Sequence, residues 1–269
     1  MIQLKTAAEI DKMRIVGLVV ADTLAAVQAV VAPGVTPNDL DELAEREIRS
    51  RGGIPSFLGY HGYPATLCTS VNDEIVHGIP GRRPLRAGDI ISIDCGAIVD
   101  GWHGDAAVTV PVGDISPELL RLIRVTEDAM WAGIAAMREG RHLRDIGEAI
   151  EHSVDEAGSY GIVEEYGGHG IGTEMHQDPH VVNYATRSRG PRLRTGLCLA
   201  IEPMITLGSP RTRVLADGWT VQTADGSYAA HFEHSVALTP AGPWVLTAAD
   251  GGASRLAELG VATPAAIRA

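Results

Sequence analysis

The chain has 269 residues and a formal net charge of −12, which argues against nucleic acid as its main partner. Its 45% hydrophobic and 21% charged content is that of a globular protein able to bury a substantial core. The N-terminus (MIQLKTAAEIDKM) lacks the order of a secretory signal, and no run approaches the roughly 20 apolar residues of a membrane helix.

With 4% aromatic residues the core must rest on Val, Ile, Leu and Ala. The cysteines Cys68, Cys95 and Cys198 show no paired spacing and suit a reducing cytosol, so a cytoplasmic location is expected.

Thr6 followed by Glu9 has capping-box spacing, and a helical apolar pattern then runs to about Val31, where Pro33 and Gly34 stop it. Thr36 with Pro37 opens a second helix that Gly52 and Gly53 end. Apolar runs at Ile90–Ile98 and Ala106–Val110 flank Asp100-Gly101, a strong hairpin signal. With Asp100-Gly101 as a two-residue loop, Gly96 faces Asp105, and Asp94 lies diagonal to Asp105 on the same face. Ser116 with Pro117 opens a third helix to about Glu139, and a fourth runs from about Leu143 to Ala157, closed by Gly158. Trp219–Thr223 follows an Asp217-Gly218 turn, and Ser227–Leu238 reads as one long strand carrying Glu233. The histidines His142 and His152 fall on predicted helix surfaces, and the basic run Arg187, Arg189, Arg192, Arg194 reads as a solvated loop.

The two helix pairs echo each other. Gly34 with Asp39, Leu40, Glu42, Glu45 and Ile48 matches, at constant offset, Gly140 with Asp145, Ile146, Glu148, Glu151 and Val154. Further on, Leu85-Arg86-Ala87-Gly88 leads to Ile93-Asp94, as Leu193-Arg194-Thr195-Gly196 leads to Ile201-Glu202. Helix caps and glycine turns recur widely, but two echoes in the same order favour duplication. No linker divides the halves, so residues 1–269 read as one catalytic domain with a repeat (about 6–112 and about 113–245) and a tail from 248 to 269, for which a short surface helix is expected. A pseudo-two-fold axis would bring Asp94 and Glu202 together.

Acids stand where they are costly: Asp94 ends an Ile-rich strand, Glu202 follows Leu199-Ala200-Ile201, and Glu233 lies within a strand. A buried carboxylate must be paired, protonated or metal-bound. Any one of them alone is more simply paired with Arg or capping a turn. Taken with Asp105, four acids among few basic residues point instead to a cation cluster. His169 sits in Gly167-Gly168-His169-Gly170-Ile171-Gly172, where glycines let the backbone crowd a site. Four carboxylates with one imidazole suit Mn, Fe(II) or similar ions, and their charge balances two of them, which would activate water for hydrolysis. HExxH, GxGxxG and a nucleophile elbow are absent.

Gly59-Tyr60-His61-Gly62-Tyr63-Pro64, Thr69-Ser70-Val71-Asn72, His77-Gly78-Ile79-Pro80, Asp100-Gly101-Trp102-His103-Gly104-Asp105 and Gly168–Gly172 with His176 closely resemble type I methionine aminopeptidases. So do Ala200-Ile201-Glu202-Pro203-Met204, Asp217-Gly218-Trp219-Thr220 and Phe232-Glu233-His234-Ser235, all in order over about residues 5–240. The resemblance implies an α+β pita-bread (creatinase/aminopeptidase-like) fold: two pseudo-two-fold-related halves with a curved, mainly antiparallel sheet covered by helices. It implies removal of the initiator methionine from nascent chains when the second residue is small. It implies two divalent ions (Co, Mn, Fe(II) or similar), with Asp94 chelating one, Asp105 and Glu233 bridging, and His169 and Glu202 completing the other.

By the same resemblance Glu202 shuttles protons, His176 binds the scissile peptide and supports the tetrahedral intermediate, and His77 acts in binding or proton transfer. The methionine slot matches Tyr60, Tyr63, Cys68 and Trp219, with Phe57 and Met175 nearby; those last two depart from residues often seen there (a Cys and a Phe). Prolidases and proline-directed aminopeptidases share the cage but carry a sizeable N-terminal domain, whereas the first helix here begins at about residue 6. Type II methionine aminopeptidases add a helical insertion, and non-catalytic pita-bread proteins lose ligands. Work on nascent chains implies proximity to the ribosome, with Arg187–Arg194 the patch to test. No stable nucleic-acid binding, no membrane association and a monomer are expected.

Overall fold

The computed structural model describes residues 1–264. Helix α1 (Ala7–Gln28) begins at the expected capping box, Thr6 accepting from the Glu9 N–H while Glu9 accepts from Thr6, and α2 (Pro37–Ser50) repeats that box with Thr36 and Asp39. The chain then forms short strands β1 (Ile54–Pro55), β2 (Leu67–Val71) and β3 (Glu74–Val76) before the hairpin of β4 (Ile90–Val99) and β5 (Trp102–Pro111). Asp100 and Gly101 have φ of 49° and 78°, the two positive values a type I′ turn requires, and so Gly96 pairs with Asp105 as the sequence predicted.

Helices α3 (Pro117–Ala136) and α4 (Arg144–Ala157) lead to β6 (Gly161–Ile162), β7 (Gly168–Gly170), β8 (Gln177–Val181), β9 (Cys198–Ile201) and β10 (Met204–Thr206). The remainder is β11 (Thr212–Val214), β12 (Val221–Thr223), β13 (Ala229–His231), β14 (Glu233–Thr239), β15 (Gly242–Val245) and α5 (Ala253–Glu258). A nine-stranded antiparallel sheet runs β1-β4-β5-β14-β9-β7-β8, with β15 on β14 and β2 on β4. Two three-stranded sheets, β13-β10-β6 and β11-β12-β3, stand beside it.

The core divides at the β5–β14 seam. On one side Val16, Val20 and Leu24 of α1 pack on Ile91, Ile93 and Cys95; on the other Leu122, Met130, Ile134 and Ile150 pack on Leu199, Ile201 and Val236. Each helix pair thus covers its own half of one sheet.

Several boundaries differ from the sequence reading. The strand expected over Ser227–Leu238 is two strands in two sheets: β13 pairs with β10, and β14 with β5 and β9. The change of sheet falls at Phe232, whose N–H donates to Pro203 O (3.4 Å) at the matching break between β9 and β10. Helix α3 stops at Ala136, not near Glu139, because Met137 leaves helical geometry and turns fully into the core. His142 precedes α4, donating its N–H to Asp145 (3.1 Å) and bridging to Arg192, while His152 lies exposed on α4 as expected. Strand β12 starts at Val221 because Asp217 holds the N–H groups of Trp219 and Thr220 in its turn. The tail is not merely a surface helix: Leu256, Val261 and Thr263 are buried against the second half, and only its last residues, 265–269, lie outside the described part.

Candidate metal centre

Sheet register places the acids. Ala107 of β5 pairs with Asp94 on one side and Glu233 on the other, and directly opposed residues of antiparallel strands share a face. Asp105, two residues from Ala107, joins them, and the small Ala107 leaves the space between them open. The Asp105 backbone is locked to β14 through Ser235, whose hydroxyl accepts from the Asp105 N–H (3.0 Å) and donates to its carbonyl (2.8 Å). Because β9 pairs Ile201 with His234, the next residue, Glu202, meets the seam at the level of Glu233. His169 pairs with Ala200 and therefore projects beside Glu202, its Nε2 3.5 Å from Glu202 Oε1.

The glycines around His169 have a steric reason. A Cβ on Gly168 would lie 2.2 Å from Ala200 O, and one on Gly170 would lie 2.2 Å from Asp178 O. Only glycine lets β7 sit so close to both neighbours. His169 Nδ1 donates to Gly170 O at 3.0 Å, which leaves Nε2 as a lone-pair donor toward the acids.

No Lys or Arg among the described residues forms an ion pair with these four carboxylates, and Asp94 Oδ1, Asp105 Oδ1 and Glu233 Oε1 are buried without a hydrogen-bond partner. Burial pushes Asp94 up to about 7 and Glu202 up to about 8. Burial, then the adjoining carboxylates, lifts Asp105 and Glu233 well above the usual range. Burial also lowers His169 to about 3, so it stays a neutral donor at pH 7. Orphaned carboxylate oxygens facing a neutral imidazole are the environment a divalent cation relieves. The oxygen-rich donor set fits Mn, Fe(II) or Co better than a thiolate-type zinc site.

The acids form one wall of a cavity of about 300 Å³, near the lower limit for small-ligand sites. Phe57, Tyr63, Cys68 and Met175 make its buried apolar side, with Tyr60 and Trp219 at the margin; Trp219 stands edge-on to Tyr63 at 5.1 Å. Tyr63 is held by hydrogen bonds to the carbonyls of Leu67 and Gly78, both 2.9 Å. His176 Nδ1 lies 2.8 Å from the Tyr60 hydroxyl, and its ring centroid 4.3 Å from that of His169.

His77 also lines the cavity, at φ 59°. A left-handed histidine is strained, and such strain gathers at functional sites. Burial holds His77 down at about 4. Every site residue expected from the sequence therefore reaches this one cavity. The sequence reading passed over His61, which also lines it, and His231, which lies behind Glu202. The signal for His231 was its two-residue spacing from Glu233, the period of one strand face.

The chain matches the family model for metallopeptidase family M24 over residues 11–240. It is 53% identical to methionine aminopeptidase 1 of Mycobacterium tuberculosis over 249 residues, covering 90% of this chain and 94% of that one. It belongs to the M24 metallopeptidases, among the methionine aminopeptidases. The solved methionine aminopeptidase of Thermotoga maritima superposes with a TM-score of 0.90 at 41% identity, covering 92% of this chain and all of that one. A Xaa-Pro dipeptidase of Bacillus anthracis, 21% identical with a TM-score of 0.72, shares the fold; this chain covers 61% of its length. The M24 assignment makes the chain a hydrolase that uses divalent metal, and the pita-bread fold expected from the sequence is the one it has. No helix among the described residues is long and apolar enough to cross a membrane.

Proposed function

We propose that this chain removes N-terminal methionine from nascent proteins and peptides whose second residue is small, with Asp94, Asp105, His169, Glu202 and Glu233 holding two divalent ions. The observation that carries this reading is the single cavity in which an apolar slot opens onto the cluster of unpartnered carboxylates. The slot, lined by Phe57, Tyr63, Cys68, Met175 and Trp219, takes the methionine side chain, with Tyr60 at its mouth. Bound ions supply Lewis acidity and a water ionisable near neutral pH.

The remaining chemistry falls to the chain's own groups. Glu202, lining the cavity beside His169 and ionised when metal is bound, can accept a proton and return it to the leaving amine. With the Tyr60 hydroxyl donating to His176 Nδ1, the Nε2–H of His176 is free to donate to the scissile carbonyl oxygen. His77, neutral at pH 7, lines the same cavity and is assigned to the substrate's peptide group. We further propose one catalytic domain acting as a monomer in the cytosol, near the ribosome, with the exposed Arg187–Arg194 loop as the surface to test by charge reversal and co-sedimentation.

A panel of Met-X peptides assayed with Co(II)-, Mn(II)- or Fe(II)-loaded protein tests the activity. Turnover falling steeply as X grows from Gly, Ala or Ser is expected; equal cleavage of Met-Ala and Met-Leu peptides overturns the specificity.

A further inference from the structure

Glu202 has an imidazole on each side. His169 Nε2 stands 3.5 Å from Oε1, and His231 Nε2 stands 3.7 Å from Oε2. His231 is 1% exposed, and its Nε2 has no hydrogen-bond partner. Its position is built rather than accidental: its N–H donates to Thr109 Oγ1 (2.9 Å), and its carbonyl accepts from that hydroxyl (2.8 Å). That clamp fixes the end of β13 just before the chain changes sheets, so the side chain stays behind Glu202, outside the substrate cavity.

A buried imidazole nitrogen normally finds a partner within hydrogen-bond distance. Here 3.7 Å is too long for one, yet it is about the separation of two ligand atoms sharing one first-row ion, at bonds of roughly 2.0–2.2 Å. Donor atoms of Glu202, His231 and Glu233 all lie within 4.8 Å of one another, as do those of Asp105, His169 and Glu233. Glu233 is common to both sets.

We infer that His231 is a further metal ligand, joining Glu202 and Glu233 through Nε2, so that the centre offers two imidazoles rather than one. The inference rests on the metal-holding role proposed above for Glu202 and Glu233. A second imidazole biases the centre toward first-row ions that accept nitrogen, such as Co(II), Fe(II) and Zn(II), and away from Mg(II).

The test uses metal-free full-length protein and the His231→Gln variant, each titrated with Co(II) by calorimetry, then examined at the Co K edge with two equivalents bound. The expected result is a loss of affinity of roughly tenfold or more at one ion in the variant, with imidazole scattering per cobalt cut to about half. An unchanged affinity and imidazole content in His231→Gln overturns the inference while leaving the five-residue centre intact. Weaker binding with unchanged imidazole content also overturns it, making His231 a residue that only positions Glu202. Wild-type protein that takes up no Co(II) removes the underlying metal reading instead. Should the variant fail to fold, the wild-type spectrum still decides: scattering from only one imidazole over two cobalt ions refutes the ligand.

Discussion

Stripping metal from the centre and raising the pH from 7 to 8.5 should destabilise the protein. Asp94 and Glu202 have folded-state values of about 7 and about 8, above the 3.8 and 4.5 of the unfolded chain. The folded state therefore binds more protons than the unfolded one, and stability falls as pH rises until the folded carboxyls have ionised. Over this window the two groups together remove roughly 1.5 kcal/mol, most of it from Glu202. Asp105 and Glu233, raised further by burial and their neighbours, act in the same direction. The buried imidazoles oppose this, since His169 and His231 near 3 and His77 and His103 near 4 favour the folded state as pH rises toward 6.5. Above pH 7 each of these has only about 0.2 kcal/mol left to gain, less in total than the carboxyl groups lose.

At roughly 2–4 °C per kcal/mol for a chain of this size, chelator-treated protein should lose at least about 3–6 °C in Tm between pH 7 and 8.5. Glu202→Gln, which carries no titrating group there, should lose less, by roughly 1 kcal/mol. Metal-saturated protein should not show the fall, because its ligands are already ionised and binding strengthens as protons leave. Differential scanning calorimetry of the three samples is the measurement. A chelated wild type whose Tm is flat or rising over this range, or a Glu202→Gln variant with the same slope, would refute the burial and crowding of these carboxylates.

Glu233→Ala and Asp105→Ala should lose metal and activity together, by elemental analysis and peptide assay, since each stands central to the carboxylate cluster. His176→Ala should retain its metal but lose about 10²–10³ in kcat, the scale of a missing donor to a developing oxyanion. Gly168→Ala drives a methyl to 2.2 Å from Ala200 O; a stability loss of about 1–3 kcal/mol with weaker metal binding is expected from thermal melts and calorimetry. Leu256→Ala should cost about 2–5 kcal/mol in chemical denaturation, because this tail residue is fully buried in the second core.

Local signals in the chain anticipated the parts of the fold that depend on neighbours in sequence. The capping box at Thr6, the helix start at Thr36-Pro37, the Asp100-Gly101 turn and the Gly96–Asp105 register all follow from contacts within a few residues, and all were legible. The four acids and His169 stood out because a charge or a glycine-flanked imidazole in an apolar segment needs a compensating reason. Phe232 was illegible for the opposite reason. The stretch from Ala229 to Leu238 carries no Gly, Pro or other local mark that its two halves belong to different sheets. The same limit hid Met137, whose burial ends α3, and Leu256, whose partners lie far away in sequence.

By itself the sequence determined the helix caps, the central hairpin and the list of costly acids, since these express backbone geometry and the price of burying charge. Tertiary structure alone decided that Asp94 and Glu233 flank Ala107 on one face, that His169 reaches Glu202 across a glycine-tight strand pair, and that His231 closes in behind it. Those distances are set by the register of strands from about 30 to about 140 residues apart, which the packing of both cores imposes and no local pattern encodes.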